Sequence, residues 1–291
     1  MIKIFPEKIN NYLELIRLDK PIGFMLLLWP CWFSLAYINL PQQTLIGYYF
    51  LFFIGAVVMR SAGCIINDLI DQQIDSKIAR TALRPIAAKK ISNLEGIIFL
   101  IILLIIGFLI LLQFKFETIL VGLICTPLII LYPFMKRITF WPQLFLGIVF
   151  NWGIIICSIE FFGTITREFF IFYLACIFWT IGYDTIYAMQ DYNDDKLTGV
   201  KSTVTKMKDK SGLFASCAYF LSSVLFGTAL IFNDFNLIII IFIFGLGLWQ
   251  SYYALNTKIT EIHKFNKGFN NSNLCGFLIW LGMIINIYFM N

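Results

Sequence analysis

The sequence predicts an all-α fold, a polytopic membrane bundle of nine transmembrane helices around a central cavity. Three observations predict it. Of the 291 residues, 59% are hydrophobic and 13% charged, and the mean hydropathy is +0.82, too apolar for a soluble domain. Apolar runs of about 20 residues, the length that crosses a bilayer, recur near 22–39, 46–66, 94–112, 118–135, 141–159, 169–190, 212–232, 237–256 and 270–290. The basic residues are also sorted, for 19 of the 22 Lys and Arg fall in the connections 1–21, 67–93, 136–140, 191–211 and 257–269, all on one side of such a bundle. By the positive-inside rule that side faces the cytoplasm.

The chain opens on charges, Lys3, Glu7, Lys8, Glu14, Arg17, Asp19 and Lys20, with no small-residue cleavage site after them, so a cleavable signal is not expected. Ile9, Tyr12, Leu13 and Ile16 recur at helical spacing, which predicts an interfacial helix within 1–21. Pro21, Gly23, Pro30, Pro127, Pro133 and Pro142 fall in or beside spans, where neighbouring helices can repair the backbone, and they predict kinks around a cavity. No linker divides the chain, which reads as one domain over 1–291. Seven scattered cysteines form no C-x-x-C pair, and the single histidine, His263, reads as a loop residue, so disulfide, zinc and triad chemistry have little material. The net charge of +5 is accounted for by topology and calls for no nucleic acid. No obligate protein partner is implied.

The second span closes on Asn67, Asp68, Asp71 and Asp75. At about 100° per residue these fall near 0°, 100°, 40° and 80°, one face of a helix. Asp184, Asp191 and Asp195, at the end of the sixth span and just beyond it, also share a side if the helix continues. Clustered carboxylates at a membrane boundary need cations, and two such faces opposed make a divalent metal site. Mg2+ characteristically joins one or two carboxylates to substrate phosphate oxygens, so the implied substrate is a diphosphate. Lys77, Arg80 and Arg84 in the first acidic loop, with Lys196 and Lys201 in the second, are candidate phosphate ligands. Arg60, seven residues before Asn67 and inside a span, would cost about 2.5–3.5 kcal/mol if unpaired there. It is expected to face a polar cavity, where Asp191, the diphosphate and a second substrate are all open as partners. A diphosphate beside a membrane cavity points to a prenyl chain held between the helices.

The ordered motifs carry a resemblance. Arg17-Leu18-Asp19-Lys20-Pro21-Ile22-Gly23, the N-D-x-x-D-x-x-x-D run at 67–75, Arg80-Thr81 with Arg84-Pro85, Tyr132-Pro133-Phe134-Met135-Lys136-Arg137, Pro142-Gln143, Leu146-Gly147, Tyr183-Asp184-Thr185-Ile186-Tyr187-Ala188-Met189-Gln190-Asp191 and Lys201-Ser202-Thr203 together resemble the UbiA-type membrane prenyltransferases, the 4-hydroxybenzoate polyprenyltransferases above all. The resemblance implies Mg2+-dependent transfer of a polyprenyl group from its diphosphate to the ring carbon beside the hydroxyl of 4-hydroxybenzoate, in ubiquinone biosynthesis. It implies catalytic roles for Asp71, Asp75, Asp191 and Asp195, with Asn67, Asp71 and Asp75 on one side of the metal-diphosphate site and Asp191 and Asp195 on the other. Asp68 and Asp184 support them, and Arg137 binds diphosphate or the aromatic carboxylate. Lys89 stands where relatives commonly carry Gly. Location is expected in a bacterial or mitochondrial inner membrane, the bacterial one favoured because no transit peptide is seen. A naphthoate, homogentisate or porphyrin-type acceptor, a secondary transporter and a non-catalytic scaffold are the rival readings; the Tyr183–Asp191 run favours hydroxybenzoate.

Overall fold

The computed structural model describes residues 6–38, 40–78 and 80–289. Among these the regular structure is helical, in thirteen α-helices: α1 (Glu7–Leu15), α2 (Ile22–Tyr37), α3 (Gln42–Asp75), α4 (Asn93–Leu111), α5 (Phe116–Ile138), α6 (Pro142–Phe150), α7 (Trp152–Phe162), α8 (Arg167–Ala188), α9 (Tyr192–Thr198), α10 (Thr203–Met207), α11 (Ser211–Phe232), α12 (Leu237–Leu255) and α13 (Ile262–Phe289). Seven helical stretches among the described residues are long and apolar enough to cross a bilayer. The expected count of nine is therefore not reproduced. Segment 22–39 forms only the 16-residue α2, and segment 270–290 forms the second half of α13, whose first half is polar from Lys264 to Asn273.

Three elements position the site. The 34 residues of α3 run about 51 Å, well beyond the roughly 30 Å hydrocarbon core, so the first acidic motif is helical and projects past the apolar layer. The span expected over 141–159 is broken at Asn151 into α6 and α7. Its buried side chain donates to the Gly147 carbonyl at 2.6 Å and to Thr180 Oγ1 at 2.9 Å, tying the break to α8. After α8 a 3₁₀ turn, Met189–Asp191, interrupts the path before α9.

Burial ranks the helices. In α8, 72% of the spanning window is buried, against 11% in α4, which makes α8 the centre of the bundle and α4 a lipid-facing wall. Trp179, Tyr183, Phe172 and Phe169 on α8 are almost fully enclosed. The α8 helix packs on α11, α6 and α13, while α2 joins α3 to α13. At the N-terminus α1 is shorter than 1–21. It docks on α3 and α4 through buried Leu15 and an edge contact of Tyr12 with Phe99, 5.3 Å between centroids. Arg17, at φ 57°, then turns the chain sharply.

Candidate active site

A cavity of about 1240 Å³ opens between α2, α3, α5, α6, α7 and α8. Its mouth is charged and its depth is apolar. Asn67, Asp68 and Asp75 reach the mouth from α3, Asp184 from α8, Asp191 from the turn that follows it and Asp195 from α9. Both acidic motifs therefore look onto one space.

Basic side chains hold these acids. Asp68, only 1% exposed, accepts from Arg17 Nη2 at 2.7 and 2.8 Å and from Arg84 Nη1 at 3.3 Å. The same Arg84 nitrogen donates to Asp75 Oδ2 at 2.7 Å, so one guanidinium bridges two carboxylates about two turns apart on one face of α3. Asp191 is paired with Arg80, 2.7 Å to Oδ1 and 2.8 Å to Oδ2. That pair joins the first acidic loop to the second. Thr81 steadies the loop by donating to the Asp75 carbonyl at 3.0 Å.

Asp71 is different. It is fully buried, lies off the cavity wall, and is engaged by the Lys136 ammonium and by Arg137 Nη2 at 3.2 Å. Lys136 itself lines the cavity, so Asp71 meets the space through its lysine partner. The expected single anionic face is thus divided by the cations that each acid holds: Asn67, Asp68 and Asp75 line the space and Asp71 lies behind it.

Arg60 lines the cavity with its Nε unpartnered, its guanidinium 5.6 Å from the centre of the Phe150 ring and close against Gly23. A Cβ on Gly23 would come within 2.9 Å of that Nε, so glycine makes room for the guanidinium. Tyr183 Oη and Gln190 Nε2, also on the wall, are likewise unpartnered.

Other expectations fare unevenly. Lys201 lines the cavity, but its ammonium donates to the Ile138 carbonyl at 3.2 Å. Lys77 and Lys196 are exposed and do not line the cavity. Arg137 is also off the wall and donates to the Ile70 carbonyl at 2.9 Å. The 3₁₀ turn Met189–Asp191 interrupts the helix between Asp184 and Asp195, so the condition under which the three acids share a helical side is not met. His263 falls in the first turn of α13 and not in a loop; its side chain lies outside the described residues. Arg17 and Lys136 were not singled out as site residues. They sit 51 and 65 positions from the acids they hold, and no local spacing signals such contacts.

Fold and cavity together define a polytopic membrane protein with a large cavity that is ionic at its mouth and apolar in its depth. Residues 27–271 match the UbiA prenyltransferase family, and the chain belongs to that family. It is 38% identical over 286 residues to the mitochondrial 4-hydroxybenzoate polyprenyltransferase of Drosophila melanogaster, covering 94% of this chain and 70% of that one. Among solved structures, a UbiA homologue from Aeropyrum pernix K1 superposes with a TM-score of 0.75 at 20% identity, covering 90% of this chain and 97% of that one. A homologue from Archaeoglobus fulgidus bound to DMAPP and Mg2+ gives 0.63 at 17% identity, covering 93% and 99%.

Proposed function

We propose that this chain transfers a polyprenyl group from polyprenyl diphosphate to the ring carbon ortho to the hydroxyl of 4-hydroxybenzoate, releasing diphosphate, in ubiquinone biosynthesis. The observation that carries this reading is the single cavity that joins both acidic motifs and their basic partners to a deep apolar channel. Relatives named for the same donor class and acceptor support it. The whole chain, 1–291, acts as one unit in the bilayer, its cavity mouth toward the cytosol or matrix of an inner membrane.

The donor set suits magnesium. Asp75 with Asn67 on α3, and Asp191 with Asp195 from the second acidic motif, offer hard oxygens around one cavity. Among the described residues no three acids, Cys or His gather closely enough to hold a metal unaided. Mg2+ is characteristically held by one or two carboxylates and completed by substrate phosphate oxygens. Magnesium, when bound there, would neutralise the charge that develops on the leaving diphosphate.

The rest falls to this chain. Arg80, Arg84 and Lys136 line the mouth and are placed to grip phosphate oxygens once the diphosphate competes with the carboxylates for them. The apolar wall below keeps water from the allylic cation formed as the C–O bond breaks. Arg60, with a free Nε and an aromatic ring beneath it, orients the acceptor through its carboxylate. A carbon–carbon bond forms at the ring, and Asp191 takes the displaced ring proton.

The test is direct. Membranes containing the protein are incubated with 4-hydroxybenzoate and prenyl diphosphates of several lengths, with and without EDTA, and products are read by mass spectrometry. The mass of 3-polyprenyl-4-hydroxybenzoate, lost with EDTA and restored by Mg2+, is the expected result. Prenylation of a different aromatic acid in its place overturns the acceptor assignment.

A further inference from the structure

The tunnel ends on aromatic rings that the chemistry above does not use. Along α3 its wall runs from Asp75 to Leu51, 24 residues or about 36 Å at 1.5 Å per residue, comparable with the full hydrocarbon thickness. At the far end Phe52 and Phe114 meet, their centroids 5.6 Å apart and their planes at 60°. Tyr48 backs Phe114 at 5.8 Å and lies against Phe161 at 4.9 Å.

Behind these rings is a buried acid. Glu160 is 3% exposed and accepts from the Tyr48 hydroxyl at 2.9 Å, the Lys115 backbone N–H at 3.0 Å and the Thr118 hydroxyl at 2.8 Å. The Lys115 ammonium donates in turn to the Glu160 carbonyl at 2.6 Å. A buried carboxylate with its donors in place fixes the groups that hold it. Glu160, on α7, therefore bolts down the α4–α5 connection that carries Phe114.

We propose that Phe52 and Phe114 form the floor of the tunnel and set the longest prenyl chain held along its length, with Glu160 as the positioning residue that keeps the floor in place. The proposal rests on the prenyl-diphosphate reading of the site. A longer chain must displace closely packed rings, which cores resist, or leave sideways through the α4–α5 seam. Phe108 and Leu123 line the cavity at that seam and are 43% and 44% exposed. The two routes predict different length profiles.

Full-length protein in lipid nanodiscs is given prenyl diphosphates of stepwise increasing length. Two quantities are read: product formed, and intact donor retained on the protein by native mass spectrometry. Phe114→Ala raises the ratio of long to short donor use at least tenfold. Gly55→Leu lowers it at least tenfold, because a Cβ at Gly55, on the tunnel wall, meets only Ile110 Cγ2 at 3.9 Å and the longer side chain fills the passage without disturbing the helix. Glu160→Gln removes part of the acceptor set and blurs the cut-off. An unchanged profile in all three overturns the floor and directs the chain through the seam. Length-dependent retention without product in any form supports the floor while refuting the transferase reading.

Discussion

Asp71 and Asp191 carry the same group in different surroundings, and the difference decides what their removal does. Asp71 is wholly buried between Lys136 and Arg137. Asp191 is 23% exposed and pairs with an Arg80 that is 42% exposed. Breaking a buried pair leaves a stranded charge and costs about 3–5 kcal/mol, whereas a solvated pair contributes about 1 kcal/mol or less. Asp71→Ala is therefore expected to lower the melting temperature of the purified protein clearly and Asp191→Ala hardly at all, while both abolish prenyl transfer. Equal melting shifts would contradict the burial assignment. Arg60 gives a separate test: Arg60→Ala should raise KM for the aromatic acid far more than for the prenyl diphosphate, and an equal rise in both would remove it from the acceptor site. The acids were legible in the sequence because a helix repeats them on one face. Their partners were not. Lys77 shared the first loop yet faces solvent, while Arg17 and Lys136 came from distant segments that only the folded chain brings near.

At the scale of the element, loops follow backbone rules that the sequence partly displays. Lys89 adopts φ 58°, the left-handed region that glycine enters freely and other residues enter at a cost of roughly 1–2 kcal/mol. Lys89 thus occupies a position whose backbone conformation favours glycine. Lys89→Gly is expected to stabilise the protein by up to about 1 kcal/mol, the gain being reduced by the added freedom of the unfolded chain; chemical denaturation measures it, and a loss of stability would refute the strain. The helix after it starts on Ser92 with a capping box to Glu95. Less readable were the break at Asn151 and the 3₁₀ turn at Met189–Asp191, since both lie in apolar or helical pattern that continues across them. Buried hydrogen bonds from Asn151 impose the first, and the second turns Asp191 toward Arg80.

At the scale of the molecule, four of the five basic connections converge on one end. Arg17 meets Asp68, Arg80 meets Asp191, Lys136 meets Asp71, and the Lys201 backbone N–H donates to the Lys136 carbonyl at 2.8 Å. Sorting of charge predicted this common side, and the contacts carry it out. What charge and hydropathy could not fix was the number of crossings, because α2 is short and α13 begins polar. On this reading the two acidic motifs act jointly on one diphosphate headgroup. The most direct test of that joint action is Mg2+-dependent binding of geranyl diphosphate, by calorimetry, to the wild type, Asp75→Asn, Asp191→Asn and the double variant. The account predicts that each single change removes most of the Mg2+-dependent affinity and that the double change adds little, as for groups serving one ligand. Full Mg2+-dependent affinity in either single variant, or losses that simply add, would contradict it.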